Sequence, residues 1–329
     1  MSARSDAGLA RPGARAINRA AIVDRNFLDF LDGWDEPAAA PADPDAVMGP
    51  GSTLTGRVFL DLFRYQIQSR QIDLVAREMR ARNEGFYTIG SSGHEGNAAL
   101  GYLTRGDDPA FQHYRSGAFM MARGAKDPEA DPVYDTALSL AASAEDPISG
   151  GRHKVWGNRK LWVPPQTSTI ASHLPKAVGA AIALEQAKRT RVEPPVSGDA
   201  IVVCSFGDAS ANHSAAAGAF NAAQWTSYQG LPAPVLFVCE DNGLGISVKT
   251  PRGWIEANFR QRPGLDYLRA DGLDLVDCFD VSRQAVAHCR ATRRPVFLHL
   301  DLRRLLGHAG TDVETDYLDL AEVETTEAC

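Results

Sequence analysis

Cysteine is scarce in this chain. Five occur in 329 residues (Cys204, Cys239, Cys278, Cys289 and Cys329), and none forms a C-x-x-C pair. That spacing excludes a disulfide framework and a cysteine-based zinc site, and two of the five lie inside strand-like apolar runs, where a thiol reads as core filler. No stretch approaches the roughly 18 consecutive apolar residues needed to cross a bilayer, so no membrane partner is expected. The first residues, MSARSDAGLARPGARA, lack the apolar centre of a secretory signal, which makes a cytoplasmic protein the default expectation. Basic excess is also missing: the formal net charge is −7, and neutralising a nucleic-acid backbone needs a basic face. No nucleic acid is expected, and any anionic ligand must be held by local groups. There is no internal repeat. What is present, 44% hydrophobic and 23% charged residues, is the composition of a globular protein able to bury a sizeable core.

Residues 1–50 mix Ala, Pro and Asp around one short amphipathic piece, Ala21 to Leu31. They cannot build a core alone and read as an N-terminal extension, flexible or wrapped on a partner. Residues 51–329 read as one α/β domain. From Gly56 to Asn83, Val58, Phe59, Leu62, Phe63, Ile67, Ile72, Val75 and Met79 recur at helical spacing, which predicts a long amphipathic helix. After Gly150 short β-rich runs alternate with helices: IVVCSF, a helix over Ser214 to Tyr228, VLFVC, a β-like segment near Leu273 to Val281, another helix, and PVFLHLDL. Such alternation predicts a parallel sheet, and fully apolar strands predict helices covering both of its faces.

Ligands of open α/β sheets settle at the carboxyl ends of strands. Two such ends stand out here, Gly207-Asp208 after IVVCSF and Glu240-Asp241-Asn242-Gly243 after VLFVC. The first presents a carboxylate followed by small residues (Ala209, Ser210, Ala211) that let backbone approach a phosphate before a helix begins. Magnesium takes about six oxygen ligands, few of them from protein, the rest from phosphate and water. Asp208, Asn242 and a backbone carbonyl could supply the protein share. Gly-Asp and Asn-Gly are each common turns that by themselves indicate nothing more; on successive strand ends they point to a shared ion.

At this point a resemblance becomes specific. GDASANHSAAAGAFNAAQW followed by VLFVCEDNGLGIS resembles the thiamine diphosphate motif. SHLPKAVGAAIALEQAKR, FQHYRSGAFMMARG and RRLLGHAGTD are similar to a helix, the diphosphate-binding segment and the active-site loop of the alpha subunits of branched-chain 2-oxo acid and pyruvate dehydrogenases. The likeness runs in family order from about Gly56 to Asp316. It implies the thiamine diphosphate-binding fold, with thiamine diphosphate and Mg2+ as cofactors. Gly207, Asp208 and Ala209 would open the motif; Asp208, Asn242 and the Leu244 carbonyl would ligate the metal. Tyr114 and Arg115 would contact the diphosphate, with Arg304 a second guanidinium. Ile246 would prop the cofactor in its bent shape, backbone at Ser168 and Ile170 would hold the aminopyrimidine, and His308 would orient substrate.

The implied reaction is oxidative decarboxylation of a 2-oxo acid with acyl transfer to a lipoyl group on the acyltransferase component. It requires a beta (pyrimidine-binding) subunit or a fused beta half, and the wording EDNGLGISV and LLGHAG is closer to single-chain fusions. An acetoin dehydrogenase-type component and a noncatalytic assembly subunit are the alternatives. His94, His113 and His173 are further candidates to line the cleft, while Arg152, His153 and Lys154 read as a solvated face more than as an entrance. Three departures from the family matter: Ala209 replaces a glycine, Asp241 an asparagine, and Glu240 a phosphate-binding arginine. A carboxylate at 240 repels a diphosphate unless it turns away or meets a cation. Ala309 stands where mitochondrial relatives carry a phosphorylated serine, so that switch is expected to be missing.

Overall fold

The computed structural model describes residues 17–35, 43–86 and 89–325. Along them run helices α1 (Arg19–Asp32), α2 (Gly56–Ala81), α3 (Ala98–Leu103), α4 (Gly117–Gly124), α5 (Pro132–Leu140), α6 (His173–Thr190), α7 (Ser214–Tyr228), α8 (Trp254–Phe259), α9 (Leu275–Thr292) and α10 (Leu320–Thr325). The strands are β1 (Ala110–Phe111), β2 (Val202–Gly207), β3 (Val235–Asp241), β4 (Leu244–Gly245), β5 (Val248–Lys249), β6 (Asp266–Asp271) and β7 (Val296–Asp301). Five of these make one sheet in the order β1-β2-β3-β7-β6, every pairing parallel, while β4 and β5 form a small antiparallel hairpin.

Alternation along the central strands divides the core in two. Val203, Leu236, Val238, Leu298 and Leu300 pack with residues of α3, α4 and α9, including Ala98, Phe119 and Cys289. Val202, Cys204, Phe206, Val235, Phe237 and Phe297 pack on the other face with Ala177, Ala181, Phe220 and Phe259 of α6, α7 and α8. Both faces are covered, which is why the strands are apolar at nearly every position. Four cysteines, Cys204, Cys239, Cys278 and Cys289, are free and buried in this core. Cys329 lies outside the described residues.

The Gly56 helix forms over Gly56–Ala81, its first turn capped by the Thr55 hydroxyl accepting from the Val58 amide, but the expected apolar face is not its buried one: Phe63, Ile67 and Val75 are exposed, while Leu62, Ser69, Asp73 and Ala76 are buried. One expectation is corrected. The segment near Leu273 to Val281 is not a strand: Asp274 accepts from the amides of Val276 and Asp277 and starts α9 there. The strand precedes it as DYLRAD, Asp266–Asp271. That strand sits at the sheet edge beside β7 alone, so it tolerates three charged residues among six and shows no apolar run. The Ala21–Leu31 piece lies within α1, which buries Val23 against Leu305 and Leu306; Arg19 Nε donates to the Leu305 carbonyl at 2.6 Å. Among the described residues no helix is long and apolar enough to cross a membrane.

Candidate functional site

Register brings the two notable strand ends together. Gly207 of β2 stands opposite Glu240 of β3, so Asp208 leaves its strand level with Asp241, and Asn242 follows one residue on. Asp208 is almost fully buried at 1% exposure. Burial raises its carboxyl pKa and nearby Asp241 adds to the rise, while the Thr250 hydroxyl, which donates to Oδ2, opposes it. A divalent cation would supply the positive charge this carboxylate lacks. Asn242 accepts from the Leu244 amide at 3.0 Å through Oδ1, starting the turn that carries Leu244, Gly245 and Ile246. Asp241 is engaged elsewhere, since its Oδ1 caps the Gly243 amide and its Oδ2 meets His299 Nε2 at 2.9 Å.

The turn is held on two sides. Ile246 has φ of 59°, an uncommon conformation for a β-branched residue, and its side chain is 55% exposed. Its carbonyl accepts from Arg304 Nη1 at 2.7 Å, and Arg304 also reaches the Tyr317 hydroxyl at 2.5 Å. Ala209 lies beneath Gly245: a Cβ at 245 would come within 2.6 Å of the Ala209 methyl. Ala209 is thus accommodated by a glycine across the turn.

Tyr114 and Arg115 follow β1. Their segment is fixed by the Trp156 indole donating to the Tyr114 carbonyl at 2.9 Å and by Asn97 donating to the Arg115 carbonyl at 3.2 Å. The Arg115 side chain is buried; it donates to the Gly90 carbonyl at 2.5 Å and lies 3.2 Å from His308 Nδ1. Tyr114 meets the His308 ring edge-on at 6.0 Å. His308 is half-buried, its amide donating to Asp312 at 2.6 Å. Burial, with Arg115 and Arg304 nearby, lowers its pKa to about 4, so it is a neutral imidazole at pH 7.

Glu240 is fully buried and turns to the histidines. His94 Nδ1 lies 2.7 Å from Glu240 Oε2, and His113 Nδ1 lies 3.8 Å from it. Burial acts to raise this carboxyl, but the imidazoles of His113 and His94 outweigh it and lower it to about 2. Burial depresses His113 to about 4. The residue that would repel a phosphate is therefore engaged inside the protein. Loop 91–97, which carries His94, approaches the chain leaving β7 so closely that a Cβ on Gly93 (φ +93°) would lie 1.8 Å from the Arg303 carbonyl oxygen.

Tyr114, Arg115, Asp208, Asn242, Leu244, Ile246, Arg304 and His308 thus converge on the carboxyl edge of the sheet. Ser168 and Ile170 lie exposed in the loop before α6, where the Ser168 hydroxyl meets His153 Nε2 at 2.5 Å. His173 Nε2 donates to the Ser205 carbonyl at 2.8 Å, a support for β2. Lys154 is buried over the Trp156 ring at 3.8 Å and does not belong to a solvated face; burial lowers its pKa to about 8 against the pull of Asp73. Sequence reasoning missed the Thr250 hydroxyl on Asp208 and the Asp312–Tyr317 pair behind Arg304 and His308. No local pattern marks them, because each acts across a turn or a long loop.

A few of the buried polar atoms without partners lie at this edge. Among the described residues, His113 Nδ1 and Nε2, Glu240 Oε1 and Arg304 Nε are buried with no hydrogen-bond partner. Buried polar groups are rarely left so. The His113 and Arg304 nitrogens, with the oxygens of Asp208, Asn242 and Leu244, fit a diphosphate and a divalent cation; Glu240 Oε1, an acceptor, is not part of that set.

The chain is 26% identical over 271 residues to a mitochondrial 2-oxoisovalerate dehydrogenase subunit alpha of Caenorhabditis elegans, covering 81% of this chain and 58% of that protein. It is 26% identical over 279 residues to the corresponding alpha subunit of Bacillus subtilis (strain 168), covering 82% and 78%. Among solved structures, transketolase from Campylobacter jejuni superposes with a TM-score of 0.47 at 13% identity, over 72% of this chain and 37% of that one. A model of the family described as Dehydrogenase E1 component matches residues 66–328, four-fifths of the sequence, and the chain belongs to that family.

Proposed function

We propose that this chain is the alpha component of a 2-oxo acid dehydrogenase decarboxylating enzyme, holding the diphosphate end of thiamine diphosphate through Mg2+ and needing a beta component to act. The observation that carries this reading is the β2–β3 register, which sets Asp208 and Asn242 on neighbouring strand ends beside buried, unpartnered nitrogens. Asp208, the Asn242 Oδ1 and the Leu244 carbonyl would hold the ion, and Arg115 and Arg304 would face the phosphates. Bound there, the cofactor supplies the carbanion and electron sink for loss of carbon dioxide from a 2-oxo acid.

The chain's own residues do the positioning. Ile246, held at positive φ by Arg304 on its carbonyl, would support the cofactor's bend. His308, neutral at pH 7, would offer an uncharged donor or acceptor to substrate beside the Arg115 guanidinium, and the acyl group would leave on a lipoyl arm. The exposed Ser168–Ile170 backbone would meet the aminopyrimidine at the beta interface. Residues 1–50 would serve as an extension to domain 51–329.

Calorimetric titration with thiamine diphosphate and Mg2+ tests the binding claim; one site per chain is expected, and an absence of heat refutes it. Turnover of branched-chain 2-oxo acids, pyruvate, 2-oxoglutarate and acetoin with an artificial acceptor, each with and without a reconstituted beta partner, tests the rest. Turnover by the chain alone would refute the need for a partner.

A further inference from the structure

Glu240 is a buried carboxylate at the edge of a site for an anion, and its role there follows from its partners. Glu240 Oε2 lies 2.7 Å from His94 Nδ1, and His94 Nε2 lies 2.8 Å from the Asn242 amide nitrogen. Glu240 and His94 are both 0% exposed, so the hydrogen bond between them does not compete with water. A carboxylate only accepts, so His94 donates to it from Nδ1–H, and the 2.8 Å contact of Nε2 with the Asn242 amide nitrogen, a donor, makes Nε2 the acceptor of the pair. Asn242 thus presents Nδ2 to Nε2. The amide oxygen then faces the other way, where it accepts from the Leu244 amide at 3.0 Å and keeps a second lone pair free.

The geometry points to Glu240 and His94 as a positioning pair that fixes the amide of Asn242 so that its oxygen, and not its nitrogen, faces the cation of the bound diphosphate. This rests on the reading that Asp208 and Asn242 hold that cation. A second-sphere carboxylate acting through an imidazole is a known means of orienting a ligand, and its loss costs about 10–100-fold in metal affinity. Here the imidazole is not itself the ligand; it sets the one that is. A carboxylate in place of a phosphate-binding cation thereby gains a function at the same strand end.

Two measurements on the full chain test the pair. In the wild-type protein, imidazole 15N shifts, with the His94 signals assigned by their loss in His94→Phe, should show His94 protonated on Nδ1 with Nε2 as acceptor. The opposite tautomer or a doubly protonated ring overturns the proposal, because Nε2–H would call for the amide oxygen. Separately, Mg2+ is titrated at saturating thiamine diphosphate, with Mn2+ followed by electron paramagnetic resonance as a second probe. His94→Phe and Glu240→Leu should each weaken the ion by about 10-fold or more, and Glu240→Leu, which removes a buried charge, should keep the fold. His94→Gln, which keeps one donor and one acceptor, should stay within about threefold of wild type. Full affinity in both loss variants overturns the positioning role alone, as does an equal loss in His94→Gln and His94→Phe. A wild-type chain that binds neither cofactor nor ion overturns the functional reading as well.

Discussion

The contact between Ala209 and Gly245 allows a quantitative test of how the turn over the site is set. A Cβ built on Gly245 lies 2.6 Å from the Ala209 Cβ, whereas carbon atoms rest about 3.5–4.0 Å apart. Gly245→Ala must therefore displace the turn by about 1 Å. Gly245 does not sit at positive φ, so the substitution carries no backbone penalty and the cost is steric alone. Overpacking of this kind costs about 1–3 kcal/mol. The turn also carries the Leu244 carbonyl and Ile246, so the displacement moves the proposed metal ligand as well as a methyl group. Mg2+ and thiamine diphosphate affinity should fall about 10-fold for each 1.4 kcal/mol of that strain borne by the bound state. Ala209→Gly removes the opposing methyl and should restore affinity in the double variant, giving a coupling energy of about 1 kcal/mol or more. Calorimetry on wild type, both single variants and the double variant completes the cycle. If Gly245→Ala binds as wild type, or if Ala209→Gly fails to rescue it, the contact does not set the turn.

Other predictions follow from neighbouring features. Asp208→Asn should abolish Mg2+-dependent binding of thiamine diphosphate while leaving the melting temperature of the free chain unchanged or higher, since a carboxylate whose pKa burial has raised is removed. Ile246→Gly relieves a β-branched residue at φ 59°, so calorimetric melting should show no loss of stability, yet decarboxylation with the beta partner should fall about 10-fold or more as support for the cofactor disappears. Because His308 has its folded pKa depressed from 6.5 to about 4, the unfolded chain binds the extra proton between those values. Its contribution to stability is complete above pH 6.5 and is lost as pH falls towards 4; melting curves of wild type and His308→Asn should diverge in that window, and parallel curves would refute the assignment. Arg290→Met leaves Asp108, which is fully buried and held by Arg290 at 2.6 Å, with an uncompensated charge, and urea unfolding should show a loss of about 3 kcal/mol.

The alternation of strands with helices and the apolar character of the central strands were legible in the sequence because both are local: IVVCSF and VLFVC read as strands covered on both sides. The two strand ends of the proposed site were legible for the same reason, as Asp208 and Asn242 stand just beyond those runs and parallel neighbours bring their ends together. Edge strand DYLRAD was not, because an edge position removes the demand for apolar residues that makes a strand recognisable. Nor was the insertion of β7 between β3 and β6, which depends on how α9 crosses one face. Partnerships across long separations were also beyond a local reading: Glu240 with His94, Asp208 with Thr250, and Ala209 with Gly245. In each the residues lie 36 to 146 positions apart, and the meeting is decided by loop closure and packing. Glu240 shows the difference most clearly. Its charge could be read from the sequence as a conflict with a diphosphate, but whether it opposes an anion or orients a ligand depends on which groups the fold places beside it.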